Sequence, residues 1–144
     1  KHNANAALVK GKRVILVDDS IVRGTTSVKI VEMMRSAGAA EVHMRIASPP
    51  TLHSCHYGVD TPDSDKLVAA NLDLEELRKH IGVESLAYIS MDGLYRAMGQ
   101  EAGRDPAAPH YCDACFSGEY PISLSDLDSG AGTAQLSLLA EQNG

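Results

Sequence analysis

Arg13-Val-Ile-Leu-Val-Asp-Asp-Ser-Ile-Val-Arg-Gly-Thr-Thr-Ser27 decides the fold of this chain. The aliphatic run Val14 to Val17 ends in two adjacent carboxylates, Asp18 and Asp19, and small polar residues follow at once. A continuous apolar run bounded this way reads as a strand buried on both faces, the usual member of a parallel sheet. Open parallel sheets bind ligands beyond the carboxyl ends of their strands, and both aspartates fall there. Residues 20–27 bring small side chains, backbone N–H groups and a helix start, which suit a phosphate.

Working outward, a helical pattern begins at Val28. Ile30, Met33, Met34 and Ala37 lie at i, i+3, i+4 and i+7, one face of a helix. Thr25, Thr26 or Ser27 caps its start, and Gly38 stands where an αL terminator belongs. Val42, Met44 and Ile46 then alternate with Glu41, His43 and Arg45, a second strand with one polar face. Strand, helix and strand make a right-handed βαβ unit. Upstream, Ala6 to Val9 fits a short strand or a helical turn. Pro49 and Pro50 end the second strand, and residues 51–61 form a structured loop. Asp63 caps a short helix through Ala70. Asp73 starts another, with Glu76 placed for a capping box, Gly82 past its end and Leu74, Leu77 and Ile81 as its buried stripe. Ser85 to Ser90 is a third strand, and Asp92 caps a helix ending near Gly99. The sequence therefore predicts an α/β fold, residues 1–99. Residues 100–144 form an irregular extension, with a helical turn possible at Gln135 to Glu141.

At 144 residues the chain is long enough for a real core. A formal net charge of −6 argues against nucleic acid or an anionic membrane as the main partner. No apolar run approaches the roughly 18 residues of a membrane span, and no secretory leader opens the sequence, which points to the cytoplasm. Three cysteines, two of them close together, suit a metal or cluster better than a disulfide framework.

The plain reading of the acid pair is an Asp-Ser turn capping the following helix. Two neighbouring carboxylates at a strand end repel each other, however. A cation or a hydrogen-bonding diol relieves that repulsion, and a ribose ligand carrying Mg²⁺ offers both. Gly24-Thr25-Thr26 is weak alone; it is neither a Walker loop nor a dinucleotide fingerprint. The whole string resembles the phosphoribosyl-pyrophosphate motif of type I phosphoribosyltransferases. Gly11-Lys12-Arg13, Ala47-Ser-Pro-Pro50, Tyr57-Gly-Val-Asp60 and Cys112-Asp-Ala-Cys-Phe-Ser-Gly-Glu-Tyr-Pro121 narrow the resemblance to the glutamine phosphoribosylpyrophosphate amidotransferase family. It covers roughly residues 1–121.

The resemblance implies a partial type I phosphoribosyltransferase fold and synthesis of phosphoribosylamine from phosphoribosyl pyrophosphate and ammonia. Asp18 and Asp19 would hold the ribose hydroxyls and Mg²⁺, and Arg23, Gly24, Thr25, Thr26 and Ser27 would enclose the 5′-phosphate. Arg23 also has a plain reading as half of a surface ion pair. Cys55, Cys112 and Cys115 would supply three of the four thiolates of a 4Fe–4S cluster. Zinc with His53, His56 or His110 as fourth ligand competes with that reading, as do three unligated thiols. Family members also carry an N-terminal glutaminase domain, a flexible loop and upstream strands that nothing here matches. Lys1-His-Asn resembles the segment just after that loop, so the chain reads as a C-terminal portion, inactive alone and with an exposed sheet edge. The whole enzyme would be a homo-oligomer inhibited by purine nucleotides.

Two rivals come from other classes. A response-regulator receiver also places paired acids after a buried strand, and would need Asp60 as phospho-acceptor. A non-catalytic module sensing phosphoribosyl pyrophosphate would keep the pocket but join it to a nucleic-acid-binding segment.

Overall fold

A computed structural model describes residues 4–122. The order of elements is α1 (Ala6–Val9), β1 (Arg13–Asp18), α2 (Thr25–Ser36), β2 (Glu41–Ile46), a 3-10 turn (Ser64–Lys66), α3 (Val68–Asn71), α4 (Leu74–Ile81), β3 (Ser85–Tyr88), α5 (Met91–Ala97) and α6 (Ala114–Ser117). Ala6–Val9 is thus a helical turn. Residues 135–141 lie outside the described part.

The three strands are parallel in the order β1-β2-β3. Asp18 pairs with Ile46, and Ile46 with Tyr88, so all three strands end at the same side. The shared register puts Val14, Leu16, Val42, Met44, Ile46 and Leu86 on one face, since side chains alternate along each strand. There they meet Val31 of α2 and Leu77 and Ile81 of α4. Each fully buried aliphatic side chain contributes about 1.5–3 kcal/mol.

The opposite face is open, which corrects the expectation for β1. Ile15 and Val17 are 64% and 75% exposed. β1 stands at the edge of the described sheet and the described helices pack against one face only, so its apolar run is covered on one side. On that open face lies a polar ladder. Arg13 pairs with Glu41 at 2.7 Å, Glu41 with His43 Nε2 at 3.0 Å, and His43 Nδ1 meets the Ser85 hydroxyl at 2.9 Å.

Five other local expectations shift. Gly24, at φ 76°, occupies the N-cap of α2 with no side-chain cap, in place of Thr25, Thr26 or Ser27. The buried stripe of α2 runs through Ser27 and Val31, with Val28 and Met34 packed beside it; Ile30, Met33 and Ala37 are only half-buried. Leu74 is 52% exposed because it begins α4, where no element covers it. Ser90 rather than Asp92 caps α5, its hydroxyl accepting from Gly93 N at 3.0 Å. Asp63 precedes the 3-10 turn without a side-chain cap and pairs with Lys66 at 2.9 Å.

The signals read from neighbouring residues hold. Asp73 and Glu76 form the capping box, and Gly82 closes α4 in the αL conformation. At the end of α2, Gly38 N donates to Arg35 O and Ala39 N to Met34 O, a Schellman motif around Gly38 at φ 90°.

Candidate functional site

The strand end and the loop after it form one cavity of about 530 Å³. Asp18, Asp19, Arg23, Gly24, Thr25, Thr26 and Ser27 all line it, together with Ser20, Ile21, Val22, Asp60 and Pro62. Ile21 is buried in the core and anchors the loop, while Val22 O accepts from Val68 N at 2.9 Å and fixes its far side to α3. Gly24 turns the chain into α2. Its positive φ is a conformation side chains rarely adopt, so the turn favours glycine.

Two features give the cavity its chemistry. Asp18 Oδ1 accepts from Asp19 N at 3.0 Å and Asp19 Oδ1 from Ser20 N at 2.7 Å, so one oxygen of each carboxylate is held by the local backbone. Among the described residues none bonds the second oxygen of either. In the lining of the same cavity α2 begins without a side-chain cap, and the N–H groups of its first turn remain available at the positive end of the helix dipole. Arg23 is exposed on the cavity rim, and no described carboxylate forms an ion pair with it. Carboxylate oxygens, N–H donors and a guanidinium in one cavity suit a phosphorylated polyol carrying a divalent cation.

Asp60 and Pro62 join this cavity with no local sequence signal for it. They arrive on the loop after β2, far away in sequence and without periodicity, and folding alone brings them to the wall. Asp60 lies in that loop and not at a strand end, which removes the receiver geometry.

The three cysteines gather at a second corner. Leu52 N and His53 N both donate to Cys115 O, at 2.9 and 3.0 Å, docking the Cys55 loop on α6. The Tyr120 hydroxyl donates to Ser54 O, and the His56 and Tyr120 rings pack with centroids 5.0 Å apart. Burial pushes the Cys115 thiol up, and its neighbours Cys55, Cys112 and Asp113 add to that. All three are free thiols. Among the described residues, no three Cys, His, Asp or Glu side chains converge on a point where one ion would sit. The Cys55 loop also reaches the first cavity, since Cys55 N donates to Thr61 Oγ1 at 2.6 Å and Ser54 Oγ to Pro62 O at 2.9 Å.

Comparison with known proteins decides the family. The chain is 55% identical over 141 residues to an amidophosphoribosyltransferase of Rhizobium etli, covering 97% of this chain and 28% of that protein. This chain is homologous to a part of the amidophosphoribosyltransferases. The Synechocystis amidophosphoribosyltransferase is 51% identical over 126 residues, 88% of this chain and 24% of its own length. A solved glutamine phosphoribosylpyrophosphate amidotransferase from B. subtilis, complexed with ADP and GMP, superposes with a TM-score of 0.76 at 47% identity. That match covers 84% of this chain and 26% of the other. No family model matches the chain. The chain thus spans about a quarter of the length of the amidophosphoribosyltransferases it matches and shares their α/β fold. These relatives support neither the receiver nor the sensing module. No described helix is long and apolar enough to cross a membrane.

Proposed function

We propose that this chain is the ribose-phosphate-binding part of an amidophosphoribosyltransferase, forming 5-phosphoribosylamine for purine synthesis. One observation carries the reading: the acid pair and the uncapped start of α2 line a single cavity. The 5′-phosphate sits on residues 23–27, and Asp18 and Asp19 accept the ribose hydroxyls. This clamps the sugar with its anomeric carbon open to attack. Ammonia nitrogen forms the new C–N bond as the C–O bond to pyrophosphate breaks, with the electron pair leaving on pyrophosphate. Ammonia is already a nucleophile, so the step rests on positioning and charge stabilisation rather than on a general base. The unpartnered carboxylate oxygens fit Mg²⁺, which when bound neutralises charge on the leaving pyrophosphate.

The thiol corner fits three of the four ligands of a 4Fe–4S cluster, in the soft donor set of Cys55, Cys112 and Cys115. A cluster presents its ligands to separate irons, so it does not require the convergence that a single ion does. We assign residues 1–99 to the phosphoribosyl part and 100–144 to the thiol-bearing extension. The whole protein carries a glutaminase domain as ammonia source, assembles as a homo-oligomer in the cytoplasm and responds to purine nucleotides. The nucleotides in the B. subtilis complex support the last point.

Equilibrium binding of phosphoribosyl pyrophosphate to this chain, with and without Mg²⁺, tests the assignment. Binding is expected to need Mg²⁺ and to weaken in Asp18→Asn. Equal affinity in wild type and Asp18→Asn would place the ligand elsewhere.

A further inference from the structure

A buried charge network stands beside Cys112. Asp113 stands inside the Cys-x-x-Cys turn and is 4% exposed. Its carboxylate accepts from Arg104 Nε and Nη2, from the Tyr95 hydroxyl at 2.7 Å and from Ser117 Oγ at 2.8 Å. Its main-chain carbonyl accepts from Phe116 N at 2.8 Å and Ser117 N at 2.9 Å, in α6. Tyr95 is buried on α5, and Arg104 is nearly buried on the loop that follows. One residue between the two thiols is therefore tied at side chain and backbone to three separate segments. Desolvation offsets much of the gain from a buried ion pair, so such a network adds little stability for its complexity. A fully bonded one fixes a single geometry.

We propose that Asp113 is a positioning residue that presets Cys112 and Cys115 to grip one thiophilic group. The proposal rests on the reading of these thiols as ligands. Partners that orient metal ligands are worth about ten- to a hundredfold in affinity.

The test uses a trivalent phenylarsenical, which bridges two neighbouring thiols by forming two As–S bonds with loss of water. Peptide mapping by mass spectrometry is expected to find it on the fragment carrying Cys112 and Cys115. Its affinity is expected to fall about tenfold or more in Asp113→Asn and in Arg104→Lys, and less in Tyr95→Phe. Circular dichroism reports the fold of each variant, and Arg104→Lys with Tyr95→Phe decides the matter if Asp113→Asn unfolds. A lowered thermal midpoint with unchanged arsenical affinity would make the network merely structural and overturn the proposal. Anaerobic iron–sulfide loading, followed by visible absorbance, runs beside it. If affinity for the arsenical falls as expected and wild type takes up no iron, the cluster assignment alone is lost.

Discussion

The phosphate cavity and the thiol corner are built in opposite ways. Ten consecutive residues, 18–27, supply most of the cavity wall, and their backbone sets most of its geometry. The thiol corner takes Cys55 from the loop after β2 and Cys112 and Cys115 from beyond α5, and holds them with Tyr95, Arg104 and Asp113. A site made from one strand–loop–helix junction depends on few tertiary contacts. A corner gathered from distant segments depends on every contact that docks them. The first should lose function when a single functional group changes, and the second should lose order.

The sharpest break between them falls on the acid pair. In the full-length protein, Asp18→Asn or Asp19→Asn is expected to lower transfer on the order of 10³-fold, roughly 4 kcal/mol, with folding intact. Glutaminase activity measured without phosphoribosyl pyrophosphate should change far less. Parallel loss of both activities would show that the carboxylates support the fold. Arg104→Ala is the counterpart at the corner. It strips Asp113 of its main partner and should destabilise the chain by about 3 kcal/mol in denaturant unfolding, leaving the cavity's ligand affinity unchanged.

The pH dependence sharpens that second prediction. Burial raises the Asp113 pKa, but the bonds from Arg104, Tyr95 and Ser117 outweigh it and hold the carboxyl below its usual range. Its contribution to stability is therefore fully present above the unfolded value, about pH 4, and is lost as pH falls through the depressed folded value. In Arg104→Ala burial is no longer outweighed and the folded value rises, so the loss that Asp113 contributes on the acid side should shrink or reverse. An acid limb identical to wild type would remove Asp113 from the corner's stability.

The contrast also explains what the sequence revealed. Asp73, Glu76 and Gly82 were legible because caps are made by residues three or a few positions apart. The cavity loop was legible for the same reason. The exposure of Ile15 and Val17 was not, because edge position depends on which strands pair and not on hydropathy. The stripe of α2 rotated toward Val31 since its partner is the one covered sheet face. Asp60 and the Arg104–Asp113 pair carried no period or spacing; only the folded loops bring them to their sites.

Gly24→Val probes how far the cavity depends on backbone alone. A Cβ there would stand 3.6 Å from Val68 Cγ1, an ordinary contact, so the cost comes from φ 76° rather than from crowding. A β-branched residue in that conformation should cost about 2 kcal/mol. Phosphoribosyl pyrophosphate affinity should drop with it as the start of α2 re-aims. Unchanged affinity would mean that the first-turn N–H groups do not hold the phosphate.

The smallest effect separates two neighbours on α5, the helix that carries Tyr95 to the thiol corner. Ser90 Oγ accepts from Gly93 N at 3.0 Å, while Asp92 Oδ1 accepts from Arg104 N at 3.0 Å. Ser90→Ala removes the cap and should cost about 1 kcal/mol, read as faster hydrogen exchange at the Gly93 amide. Asp92→Ala should leave that amide protected and instead speed exchange at Arg104. The opposite pattern would make Asp92 the cap. It would also detach the Arg104 turn from α5, so the thiol corner would lose one of the struts that distinguish it from the cavity.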